Sequence, residues 1–354
     1  MQKSNQGYKE IIFLSAITCL FLILVHVSEL FFFGGKQSLN EISSIPYQLS
    51  QLGIAMFAVI VGLYLFKKSG NKKREKQLSS FEVSKVVLLF VLWSLFYLVL
   101  LKIVMNAQMF IGWKDSFVHI AMGNSFYHLF FISVVLQFLL IFPVLKLVHS
   151  KLGWSLLTIV SGVVHYYFLS TALTGGNEFL SQEGLLLKWI FFFIFGGLLA
   201  RHWEGVQSLL NRFNQLGFVT LIGFIGYEVL YYFMYGSIFL QEWSLMITVP
   251  IIMMSLLGIY HSVRKVVLLD IFFQSIGENT VGLYFVYPLI IFTYSSILPD
   301  ALWQKEYFVL VFTIVLGTSV FVSKAAKLFL FNISGVKSPF AKTKMMNQQE
   351  LRIN

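Results

Sequence analysis

Along this chain, long apolar runs alternate with short polar links. A membrane-crossing helix needs about 20 mostly apolar residues. Runs close to that length lie near 11–33, 49–66, 83–104, 126–148, 154–173, 185–201, 215–234, 243–260, 276–298 and 306–331. The pattern predicts an all-α, polytopic integral membrane bundle of about ten transmembrane helices. No link is long enough to separate soluble domains, and no internal repeat is visible. Residues 1–354 therefore read as one integral domain, with a transmembrane core over about 11–331 and a basic tail over 332–354. The first run is too long for a cleaved signal peptide, and it lacks a small-residue cleavage site.

Charge changes the picture by its placement. The link after the second run, FKKSGNKKREKQLSS, holds Lys67, Lys68, Lys72, Lys73, Arg74 and Lys76. The links that should share its side carry Lys146 and Lys151, then Arg201 and Arg212, then Arg264 and Lys265. The tail adds Lys324, Lys327, Lys337, Lys342, Lys344 and Arg352. The intervening links hold only Lys36, Lys114 and Lys305, with Lys102 and Lys188 near helix ends. Every second link is basic, which is the positive-inside pattern and predicts both termini in the cytoplasm. The formal net charge of +10 is then mainly a topology signal, with anionic lipid head groups as a secondary partner and no nucleic acid. The other face carries Glu41, Asp115, Glu178, Glu183, Glu242 and Asp300, either as a solvated surface or as one that binds sugar hydroxyls.

Composition agrees with the pattern. The chain is 57% hydrophobic and 12% charged, whereas a soluble domain is about a quarter charged. The single cysteine, Cys19, excludes an intramolecular disulfide, and no metal-ligand spacing is present. No phosphate-binding glycine loop, HExxH, GxSxG or CxxC occurs. The pairs Gly196 and Gly197, and Gly223 and Gly226, read as points of close helix packing.

Ionisable groups at membrane depth are costly and tend to mark function. The first run contains LSAITCLFLILVHVSEL, which places His26 in its outer half and Glu29 three positions later. Residues three apart share a helix face. A carboxylate beside an imidazole fixes the tautomer and raises basicity, as a general base requires. The alternative is that Glu29 lies at the interface and His26 only bonds another helix. Glu228, in GYEVLYYF of the seventh run, either shares a cavity with His26 or pairs with a tyrosine hydroxyl. His128 starts the fourth run, where a histidine can be a simple interfacial anchor; Gln137 and Pro143 follow it in the same run. His165 is a weaker candidate of the same kind. In the ninth run Pro288 falls mid-helix beside Tyr284 and Tyr287, which either line a cavity or pack there.

The order of these features resembles the type-three membrane acyltransferase family along nearly the whole chain. FLSAITCLFLILVHVS resembles the family's first helix, which puts the family's catalytic histidine on His26. VSKVVLLFVLWSLFYL resembles the third helix, with Trp93, Ser94 and Tyr97 in register. SFYHLFFISVVLQFLLIFP resembles the fourth, placing Tyr127, His128 and Leu129 on a tyrosine-histidine-leucine motif, and NTVGLYFVYPLIIF resembles the late helix. Two positions depart from the family. Ser15 stands where an arginine usually helps hold the acyl-CoA phosphates, and Tyr287-Pro288 stands for histidine-proline. Within the family, size and pattern are most similar to the intercellular-adhesion polysaccharide proteins of biofilm-forming bacteria, which carry both export and O-acyltransferase labels.

The resemblance implies a plasma-membrane O-acyltransferase of a bacterium. An acyl group would move from cytoplasmic acyl-CoA, a co-substrate rather than a tightly bound cofactor, to a hydroxyl of a cell-surface glycan or lipid-linked sugar. His26 would be catalytic with Glu29 and Glu228, and Tyr127, His128, Tyr284 and Tyr287 would contact substrate. Lys85, Arg201 and Arg264 would take over the donor phosphates from the missing arginine. Glycan synthase subunits are the implied protein partners, and no metal is involved. The other implied class is a polysaccharide export component, in which the same ionisable groups form a pathway through the membrane.

Overall fold

A computed structural model describes residues 2–32, 50, 52–69, 80–105, 112–173, 182–212, 214–235 and 244–334. The expected outer-face residues Lys36, Glu41, Glu178 and Glu242 lie outside them, as do Lys72, Lys73, Arg74, Lys76, Lys337, Lys342, Lys344 and Arg352. The described chain forms thirteen α-helices: α1 Gln2–Phe32, α2 Leu52–Ser69, α3 Ser80–Met105, α4 Trp113–Ala121, α5 Phe130–Leu145, α6 Lys151–Leu173, α7 Ile190–Arg201, α8 Trp203–Arg212, α9 Asn214–Tyr235, α10 Leu245–Val263, α11 Val267–Gly277, α12 Thr280–Ile297 and α13 Phe308–Ser334. No strand occurs among the described residues.

Eight of these helices, α1, α2, α3, α6, α9, α10, α12 and α13, are long and apolar enough to cross a membrane. The runs near 126–148 and 185–201 instead give α5 and α7, of 16 and 12 residues. The expected ten spans thus become eight helices of spanning length and two shorter ones. The shortening has a local cause. Residues 122–129 are folded into consecutive turns, and Leu186–Lys188 form a 3₁₀ turn before Trp189. An apolar side chain adds to a hydropathy run whatever its backbone does.

The chain divides into two compact units, Met1–Glu278 and Asn279–Asn354. In the first, α2 is apolar on every side and is buried nearly throughout, as a helix without a polar face must be. It packs on α1, α5, α7 and α10. Its crossing with α7 depends on two glycines. A Cβ on Gly62 would sit 2.1 Å from the Phe193 carbonyl oxygen, and one on Gly196 would sit 2.1 Å from that of Val59. Gly196 and Gly197 are therefore packing points, as expected, and Gly197 abuts the Trp154 ring. Gly223 and Gly226 differ: a Cβ there meets nothing within 4 Å among the described residues. They lie on α9, which packs on α10 and leaves Val219, Ile222, Leu230 and Phe233 exposed. Apolar exposure on this scale suits lipid rather than water.

Aromatic and cation contacts show which helix ends of this unit lie together. Phe66 near the end of α2 meets Phe142 of α5 and Trp154 of α6. Arg201, ending α7, lies over Trp154, and Lys146 lies over Phe142. Lys67 sits 3.7 Å over the Trp203 ring of α8. Arg264 lies over Tyr260, which meets Phe13 of α1. The basic residues read as an orientation signal are thus gathered at the end of the unit where α1 begins.

In the second unit α12 and α13 form a hairpin with a polar seam. Lys327 Nζ donates to Asn279 Oδ1 at 3.3 Å, and the Tyr294 and Thr318 hydroxyls are 3.0 Å apart.

Candidate functional site

The far end of α1 carries His26 and Glu29 on one face, as their spacing predicts. His26 Nδ1 and Glu29 Oε2 are 3.2 Å apart. A carboxylate only accepts, so in the neutral ring Nδ1 donates and the lone pair is on Nε2. The His26 side chain is 16% exposed and that of Glu29 is 53% exposed. The pair therefore stands at the edge of the fold, with the imidazole inward and the carboxylate toward the surroundings.

Across from this pair lies the segment between α4 and α5, which carries Tyr127 and His128. The Tyr127 ring is 4.5 Å from the His26 ring, centroid to centroid, and 5.5 Å from that of His128. Tyr127 is half exposed and His128 is buried. Phe126 stacks on Tyr97 of α3 at 4.2 Å, and Tyr97 meets His128 edge-on at 5.2 Å. The fourth-helix motif thus sits in a tight turn ahead of α5 rather than inside a span. Gly123, at φ +75°, reverses the chain there, and Leu129 N donates to Phe126 O at 3.0 Å. The result is two imidazoles and a phenol from two distant parts of the chain, walled by Tyr97 and Phe126. Such a group can accept a proton from a hydroxyl and present aromatic faces to a sugar ring. Tyr97, in register with the family's third helix, is the wall residue to which the sequence reading gave no role.

The remaining expected site residues lie on other elements. Glu228 is buried, 1% exposed, on α9, beside α10. Lys85 is exposed near the start of α3. Arg201 Nη2 donates to the Val148 carbonyl at 3.4 Å, and Arg264 follows α10 at its cap. Lys85 and Arg201 thus sit on different helices, and Arg264 at the end of a third. Tyr284 and Tyr287 belong to the second unit, both buried on α12 beside Pro288, with ring centroids 6.4 Å apart. Among the described residues no group of three or more His, Cys, Asp or Glu side chains could hold a metal ion.

The near end of α1 carries a cluster that the sequence gave no reason to expect. Glu10 is 2% exposed, and Gln207 Nε2 of α8 donates to its two oxygens at 2.9 and 3.1 Å. Lys67 and Arg264 are close enough to attract the same carboxylate. Ser15 lies buried about a turn and a half further along α1. The only signal in the sequence was the alternation of basic links, which identifies a side and not a contact.

Comparison with known proteins adds two findings. The family described as "Acyltransferase domain" matches residues 8–325. Two relatives, each named "Probable poly-beta-1,6-N-acetyl-D-glucosamine export protein", come from Staphylococcus aureus strains Mu50 / ATCC 700699 and MSSA476. Each is 20% identical over 307 residues, covering 82% of this chain and 85% of the relative. No solved structure matches.

Proposed function

The chain belongs to the acyltransferase-domain family, and from that premise we propose that it is an O-acyltransferase whose general base is His26. The His26–Glu29 hydrogen bond, facing Tyr127, is the observation that carries this reading. The acceptor is a hydroxyl of a cell-surface glycan or of its lipid-linked precursor, and the donor is acyl-CoA from the cytoplasmic side of the plasma membrane. His26 Nε2 takes the hydroxyl proton as the oxygen attacks the thioester carbonyl. The tetrahedral intermediate collapses, the thiolate leaves, and the imidazolium returns the proton to it. Glu29 orients the ring and balances its charge during this exchange. Tyr127 and His128 hold the acceptor, Tyr127 by its half-exposed face.

Ser15 supplies no positive charge, so the donor phosphates need other cations. Lys67 and Arg264, both close enough to Glu10 to attract it, are cations at that end of α1 that support entry of an anionic donor there. Lys85 and Arg201 are the further candidates. Glu228, buried on α9, is the further group proposed for the proton route. Glycan synthase subunits are the proposed protein partners.

The test is mass spectrometry of surface glycans from cells carrying wild-type chain or His26→Ala. Removing a general base lowers a rate about 10²–10⁴-fold, so acyl groups on the glycan should disappear while the variant still inserts. Unchanged acylation would discard the mechanism. The relatives' printed name supports a second reading, polysaccharide export. Under it, loss of the chain traps unmodified polymer inside the cell. Polymer that reaches the surface lacking only its acyl groups decides for transfer.

A further inference from the structure

Tyr127 and His128 belong to a turn and not to a helix, so something outside the turn must hold them against α1. Two hydrogen-bonded side chains supply that hold. Ser133 Oγ, in the first turn of α5, donates to the Ala121 carbonyl where α4 ends. Gln137, one turn further on, donates through Nε2 to the Gly184 carbonyl and to Ser133 Oγ at 3.3 Å. Its Oε1 accepts from Leu186 N at 3.0 Å. Both ends of this one amide are thus engaged. They link α5 to the 182–189 segment, and through Ser133 to the start of the segment that carries Tyr127 and His128.

The 182–189 segment is itself well fastened. Lys188 Nζ pairs with Glu183 Oε1 at 2.8 Å, and Trp189 Nε1 donates to the Glu183 carbonyl at 2.9 Å. Its contact with the 121–130 segment is close: a Cβ on Gly184 would lie 2.2 Å from the Met122 carbonyl oxygen. The two segments therefore rest backbone against backbone, and Gln137 is the side chain that bonds to one while bracing the other. An amide within a packed helix bundle forms these bonds at little cost, because each of its polar atoms has a partner.

We propose that Gln137 is a positioning residue that holds the Tyr127–His128 turn against His26 by clamping α5 to the 182–189 segment. It touches neither reactant and acts through Ser133, Ala121 and Gly184. The consequence for chemistry rests on the function proposed above, whereas the positioning itself does not. A misplacement of about 1 Å in a reacting constellation costs on the order of 10²-fold.

Two readouts separate the claims. In the full chain with Cys19→Ser, the pair His26→Cys and Tyr127→Cys reports the distance across the site by its rate of oxidative cross-linking. Adding Gln137→Leu, which keeps the volume and removes the amide, should slow that cross-linking at least tenfold. Ser133→Ala removes the bond to Ala121 and the longer one from Gln137 but keeps both bonds of Gln137 to the 182–189 segment; it should slow cross-linking by a smaller factor and serves if Gln137→Leu fails to insert. A cross-linking rate unchanged in Gln137→Leu, or in Ser133→Ala where the first variant is lost, overturns the proposal. In otherwise unaltered chain, acyl transfer by Gln137→Leu should lose kcat at least tenfold while KM for the donor holds, as expected of a shifted turn rather than a damaged fold. Slowed cross-linking in a chain whose His26→Ala variant still acylates would uphold the clamp and reject His26 as the general base.

Discussion

The two ends of α1 each carry one carboxylate, and they use it in opposite ways. Glu10 is enclosed, bonded through both oxygens to Gln207 and attended by Lys67 and Arg264. Glu29 is more than half exposed and bonds to His26. A buried carboxylate needs its full set of donors, because desolvation otherwise makes it strongly unfavourable. A carboxylate at the edge, solvated on its other side, can change its interaction with a neighbouring imidazole at small cost. The comparison separates a structural lock from a site equipped for proton transfer, although the two groups have the same chemistry and share one helix.

The largest expected effect comes from His26→Ala, with a loss of transfer of about 10²–10⁴-fold and a thermal unfolding midpoint in detergent near that of the wild type. Next is Gln207→Leu, which leaves the Glu10 carboxylate short of two bonds. It should destabilise the fold by about 2 kcal/mol, read by thermal unfolding, with kcat of the folded fraction unchanged. A variant that lost kcat but kept its stability would reverse the assignment of the two ends. The smallest effect belongs to Glu29→Gln. Its exposure screens the charge and limits the coupling to about 1 kcal/mol, or roughly fivefold in kcat, with no measurable change in unfolding. A loss as large as that of His26→Ala would mean that Glu29 is desolvated during the reaction.

The parts of this molecule that were legible in sequence are those set by local spacing. His26 and Glu29 are three apart on an unbroken apolar helix, and that alone predicts their contact. The apolar runs located every helix of spanning length. They did not show that residues 122–129 close into turns, since Phe126, Tyr127 and Leu129 add to hydropathy equally in either state. Helix α11 was missed for a related reason: it is a short apolar stretch beside a longer one, and only its packing on α1, with Gly277 against the Ile12 carbonyl, fixes its place. Contacts between distant residues left no trace in the pattern. Glu10 and Gln207 are 197 positions apart, and Gln137 reaches Gly184 across 47. Lys67 is one basic residue among several in the sequence, and only the fold sets the Trp203 ring beneath it.

From Glu10 to His26, α1 contains neither proline nor glycine, and its neighbours α2, α10 and α11 leave it no hinge. Sixteen residues at 1.5 Å each make a rigid ruler of about 24 Å. On the proposed chemistry, a donor anchored by its phosphates at one mark must deliver its thioester to the other, so the length of its flexible arm becomes a condition of reaction. A truncated thioester that keeps the acyl group but lacks that reach should be turned over poorly, however reactive its carbonyl.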